Sequence, residues 1–229
     1  MQLTQKTKTA LIAFLAVDVL IAVVLILMFQ LRGDRQSEAE LREIGATIYP
    51  DPRPISDFRL LDQAGEFFTK EYLQGHWNLV FFGFTHCPDI CPLTMAELKQ
   101  FYENPDLDRL EKPRIFLVTV DPLRDNPASM AAYLENYNSQ FIGLSGDPEA
   151  IALLASELYV AYGEAPEGAI AMNHEHDDAL PQDREDDGNY LIEHSGHIAV
   201  INPSGEYVAV LRAPHRDRDL VTAYREIVR

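Results

Sequence analysis

Cys87 and Cys91, the two cysteines of this 229-residue chain, lie in the stretch FFGFTHCPDICP (residues 81–92), with three residues between them. That gap lets the chain fold back and bring both sulfurs to one point, either as a disulfide or as two ligands on one metal ion. The pair by itself does not choose between these chemistries. Its surroundings show where the thiols sit. The run Trp77–Phe84 is apolar but for Asn78 and has the length of a buried strand, while Leu93–Tyr102 carries helical spacing. The thiols are therefore predicted at a strand-to-helix turn. Cys91 precedes Pro92 and is biased away from the α region, and Pro92 suits a first helical turn, so the helix is predicted to open at Pro92 with Cys91 as its cap. Aligned backbone amides at such a point favour thiolate over thiol.

The elements that must hold this turn follow from the same patterns. A short strand is predicted at Phe58–Leu61, another at Arg114–Val120, a helix at Pro127–Tyr137, a strand at Phe141–Leu144 and a helix at Pro148–Leu158. Ile198–Ile201 and Tyr207–Leu211 read as a hairpin about Asn202–Gly205, and Asp217–Val228 as a closing helix. Such alternation predicts an α/β domain around a central mixed sheet. Asp121 stands at the end of the strand Arg114–Val120, where α/β proteins place functional groups, although an aspartate before proline also starts turns. Between Gly163 and Asn189 the pattern lapses. Residues 174–187 hold seven acids against Arg184 alone, which reads as a solvated insertion near 164–188 in which His174 and His176 are at most loose metal ligands.

Charge and hydropathy narrow the function. Lys and Arg number 19 against 36 Asp and Glu, a formal charge of −17, so a nucleic-acid partner is excluded on electrostatic grounds. Residues 10–31 are apolar except for Asp18 and Gln30, long enough to span a hydrocarbon core of roughly 30 Å. They predict an uncleaved transmembrane anchor, because FQLRGDR (residues 29–35) offers no small-residue cleavage site. The organisation expected is a short cytoplasmic N-terminus (1–9), the anchor (10–31), a proline-punctuated juxtamembrane linker (32–54) and one folded domain (55–229). Beyond residue 35, 15 basic residues face 34 acidic ones, so docking partners should be basic or cationic.

Three segments, FFGFTHCPDICP, Val120-Asp121-Pro122-Leu123-Arg124-Asp125 and Ile192-Glu193-His194-Ser195, resemble the signatures of the SCO/SenC family, over about residues 50–229. The resemblance implies a thioredoxin-like domain behind an N-terminal transmembrane helix, and a copper chaperone for the binuclear copper centre of cytochrome c oxidase. It further implies metal ligation by Cys87, Cys91 and His194, the histidine assignment falling on His194 rather than His197 because HSGHIAVINPSG (residues 194–205) matches the family's histidine, strand and turn without a gap. Two thiolates and an imidazole form a soft, low-coordinate set suited to Cu(I), and copper tops the divalent affinity series as Cu(II). Structural zinc usually asks for a fourth ligand. In this frame Asp121 is a candidate to orient His194 or take its proton, His86 has a structural role beside Cys87, and His197 packs at the strand start. The implied partners are the copper-receiving oxidase subunit and a thiol reductant or second copper chaperone; the implied location is the inner membrane, with the C-terminal domain in the periplasm. A thiol:disulfide oxidoreductase acting on the copper acceptor is the competing reading. Such enzymes usually space their cysteines C-x-x-C, and they resemble one another in a cis-proline that residues 189–200 lack.

Overall fold

Strand β4 (Asn78–Gly83) is buried at every position, as a strand covered on both faces must be. In the computed structural model, which describes residues 14, 18–24, 38–164 and 192–229, β4 lies centrally in an eight-stranded mixed sheet of order β1-β10-β9-β4-β5-β6-β2-β3. The other strands are β1 (Ala46–Pro54), β2 (Arg59–Asp62), β3 (Phe67–Thr69), β5 (Arg114–Thr119), β6 (Ile142–Ser145), β9 (Ile198–Ile201) and β10 (Glu206–Leu211). β4, β5 and β6 are parallel neighbours, and β9 turns antiparallel against β4, with Phe81 opposite Ile198. Helices α1 (Ile90–Glu103), α2 (Pro127–Leu134), α3 (Pro148–Glu157) and α4 (Asp217–Ile227) complete the predicted alternation. Parallel strands need such crossovers. Tyr224 of α4 is fully buried and meets Phe101 of α1 edge to face at 5.7 Å, closing the core against those two helices.

The β9–β10 hairpin turns where predicted. Asn202 Oδ1 accepts from the Ser204 and Glu206 amides, and Gly205 at φ +78° takes the left-handed conformation that disfavours other residues. A separate two-stranded ribbon pairs β7 (Tyr162–Glu164) with β8 (Ile192–His194), Tyr162 standing opposite His194.

Two features differ from the sequence expectation. Pro50, Pro52 and Pro54 suggested a tether, yet Ala46–Pro54 forms the edge strand β1 on β10, with an irregular register between Ile48 and Arg53. Prolines are tolerated on an edge, where no second neighbour needs their missing N–H. The chain accordingly divides into units 1–44 and 45–229, with the folded unit beginning earlier than the linker boundary at 54. Helix α1 opens at Ile90, not Pro92, so Cys91 lies inside the first turn and Asp89 is the cap residue.

Of the predicted span 10–31, residues 14 and 18–24 are described; they are helical, with Val19, Leu20 and Ile21 exposed. The rest of the span lies outside the described residues, and among the described residues no helix is long and apolar enough to cross a membrane. Residues 165–191, with His174 and His176, also lie outside them.

Candidate metal centre

Cys87 lies in the turn between β4 and α1, Cys91 in the first turn of α1, and the ribbon strand β8 ends in His194. One ligand atom from each of Cys87, Cys91 and His194 falls within 4.8 Å of the other two. His194 Nε2 stands 3.1 Å from Cys91 Sγ although 103 positions separate the residues. His194 Nδ1 lies 3.3 Å from the Ser195 carbonyl. A carbonyl can only accept, so Nδ1 carries the proton and Nε2 presents its lone pair to the sulfurs. Phe81 and Phe84 meet the imidazole edge to face, each at 5.9 Å.

Helix α1 begins early because the turn supplies its own caps. The Cys91 amide, an orphan donor in a first helical turn, donates to Cys87 Sγ at 3.4 Å. Pro92 in the same turn forfeits an N–H that would have lacked a partner anyway. The thiols are not equivalent: Cys91 is buried and Cys87 half-exposed. A hydrogen bond from the Cys91 thiol draws the Cys87 pKa down to about 4 against the opposing effect of burial, helped by the backbone at Asp89 and Cys91. The same hydrogen bond, with burial, pushes Cys91 upward. Without metal the pair thus holds one proton, and the negative charge sits on the more exposed sulfur.

Gly83, the last residue of β4, makes room for this arrangement. A Cβ there would lie 2.9 Å from Cys91 Sγ and 3.0 Å from Phe81 Cε1. Gly83→Ala is therefore expected to displace the thiol, costing about 1–3 kcal/mol of stability and weakening metal binding. Thermal unfolding and a copper titration of this variant check both effects; parental values in both would show that the contact is unimportant.

Asp121 is buried at the end of β5, and its carboxylate takes the Arg124 Nε. The Arg124 guanidinium lies 5.8 Å from the centre of the Phe84 ring that borders His194. Asp121 is thus linked to the histidine's surroundings by way of Arg124 and Phe84. The sequence reading missed a second buried carboxylate, Asp125. It accepts from Thr85 N at 3.0 Å, from Thr119 Oγ1 at 2.7 Å and from the Thr85 hydroxyl, tying the cysteine turn to the end of β5. The available signal was its place at the end of the segment Val120–Asp125, four residues after Asp121. His86, as expected, serves the turn: its Nδ1 is 2.9 Å from Thr85 Oγ1 and 3.8 Å from Asp125 Oδ1. His197 and His76 lie apart from the ligand group, with Leu158 O and Glu111 as their neighbours.

Two sulfurs and one imidazole nitrogen, with no fourth His, Cys, Asp or Glu in the group among the described residues, fit a soft, three-coordinate ion better than a closed zinc site. Comparison with known proteins agrees. The SCO1/SenC family model matches residues 48–229. A SCO2-like protein of Rickettsia conorii is 33% identical over 162 residues, covering 70% of this chain and 71% of its own. Among solved structures, copper-bound ScoI of Bradyrhizobium japonicum is 28% identical with a TM-score of 0.60, covering 76% of this chain and 99% of its own. Copper-bound ScoI of Arabidopsis thaliana is 26% identical with a TM-score of 0.61, covering 75% and 98%.

Proposed function

The chain belongs to the SCO1/SenC family, and from that premise we propose that it is a membrane-anchored copper chaperone delivering copper to the binuclear centre of cytochrome c oxidase. The observation that carries the reading is the convergence of Cys87, Cys91 and His194 within 4.8 Å. Copper is the cargo. The two sulfurs and His194 Nε2 hold it, and a site of only three ligands leaves the ion open to an incoming ligand of the acceptor. Asp121 contributes at one remove, by holding Arg124 beside Phe84. Residues 10–31 anchor the chain in the inner membrane and residues 45–229 face the periplasm, which the length of the apolar span and the family resemblance support. A reporter fused after Arg229 should be active only outside the cytoplasm. The reduced full chain in detergent should bind one Cu(I), and the Cys87–Cys91 disulfide form none, because a disulfide offers no thiolate. Equal uptake by both forms, or a cytoplasmic reporter, would contradict the proposal.

The division of labour between the thiols favours an accompanying activity, reduction of a disulfide on the copper acceptor. The Cys87 thiolate attacks one acceptor sulfur, forming a mixed disulfide and releasing the other as thiolate. Cys91 then gives up its proton and attacks Cys87 Sγ, releasing the second acceptor thiolate and leaving a Cys87–Cys91 disulfide; two electrons pass to the acceptor. Iodoacetamide should accordingly modify Cys87 in the reduced, metal-free chain. Its rate should stay level from about pH 8 to about pH 5 and drop only near a pKa of about 4. A rate falling tenfold per unit below about pH 8.5 would mark an ordinary thiol and sink the assignment.

A further inference from the structure

Building on the copper reading, we propose that His197 and His215 are positioning residues that fix the segment Ser195–His197 so that His194 reaches the cysteines. His197 Nε2 lies 3.1 Å from the Leu158 carbonyl, and His215 Nε2 lies 2.6 Å from the Gly196 carbonyl. Both partners are acceptors, so each ring donates from Nε2. Burial holds both imidazoles below their ordinary pKa range, which keeps them neutral donors near pH 7.

Leu158 gives the first bond its meaning. It is the C-terminal cap residue of α3, where carbonyls lack helical partners, and His197 supplies a donor to this one. The helix then ends through Tyr159 at φ +59°, with Val160 N bonded to Ala155 O at 2.8 Å. This left-handed turn, unusual for a residue other than glycine or asparagine, sends the chain into β7. Two residues past the turn Leu158–Tyr159, Ser195 grips Ala161: Ser195 N donates to Ala161 O at 2.8 Å and Ala161 N donates to Ser195 Oγ at 3.0 Å. On the other side, His215 stands between β10 and α4 and holds Gly196, where a Cβ would lie 2.9 Å from Ile90 Cδ1 at the opening of α1. The segment following His194 is thus hooked to the end of α3 by His197 and Ser195, and drawn toward the start of the cysteine helix by His215. Two histidines that are not ligands set where the third one points.

The test is a double-mutant cycle on the full chain in detergent, read as Cu(I) affinity against a competing chelator. His197→Leu and His215→Leu should each weaken binding about 10- to 100-fold, the range for residues that orient a metal ligand. His197→Gln and His215→Gln, whose side-chain amides can still donate, should recover most of it. In a His194→Ala background the same Leu substitutions should change affinity less than about threefold, since no ligand remains to be positioned. In the metal-free chain the Ser195 amide should exchange its hydrogen faster in His197→Leu than in His197→Gln. Equal losses with and without His194 would reveal a general structural role, and failure of the Gln variants to recover would remove the hydrogen bonds from the explanation; either overturns the proposal. A parent chain without tight Cu(I) binding, or His194→Ala at parental affinity, would instead overturn the copper site on which the proposal rests.

Discussion

Replacing either cysteine with serine is expected to abolish stable one-to-one Cu(I) binding while leaving the domain folded. Loss of a residue that merely orients a ligand costs about 10- to 100-fold in metal affinity, so loss of one of three ligands should exceed that range. A hydroxyl is also a hard donor in place of a soft one. Cys87→Ser removes the half-exposed sulfur and should hardly disturb packing. Cys91→Ser alters a buried group close to Gly83 and should lower stability modestly as well. Chelator competition with each reduced variant, beside a thermal melt, separates the two effects. Retention of tight binding by either variant would mean that the sulfurs do not share the ion.

The second large effect is expected at Asp125. Its carboxylate receives the Thr85 amide, the Thr119 hydroxyl at 2.7 Å and the Thr85 hydroxyl, and the residue is fully buried. Asp125→Ala strands those donors where water does not replace the lost acceptor, a loss on the order of 3 kcal/mol or more. Because Thr85 stands two residues before Cys87, copper affinity should fall with stability. Asp125→Asn retains one carbonyl acceptor and should lie between. Chemical denaturation of both variants decides the ranking; an Asp125→Ala variant as stable as the parent would show that the carboxylate does not organise the turn.

Much of the scaffold was legible because its signals are local. The apolar run of β4, the proline at the start of α2 and the Asn202–Gly205 turn each declare an element within a few residues. What was not legible depends on distant partners. β1 reads as a tether until β10 pairs with it, and β7 and β8, three residues each, are too short to show a period. The opening of α1 at Ile90 rather than Pro92 follows from a side-chain acceptor, Cys87 Sγ, for the Cys91 amide. The candidate site divides the same way. The cysteine pair was visible from spacing, whereas His194 is one of seven histidines and was singled out only by resemblance, since its approach to Cys91 is made by the β7–β8 ribbon. Asp125 ended the quoted segment Val120–Asp125, four residues after Asp121, yet its role was not legible there, because it lies in the two threonines that the fold brings to it.

The most direct measurement is X-ray absorption at the copper edge on the reduced full chain loaded with one equivalent of Cu(I), alongside His194→Ala. The parent should show two sulfur scatterers and one imidazole nitrogen, and the variant two sulfurs with the imidazole signal gone, together with weaker Cu(I) binding and loss of Cu(II) binding. An imidazole signal that persists in His194→Ala, or a parent site with fewer than two sulfurs, would contradict the assignment of Cys87, Cys91 and His194 as the copper ligands.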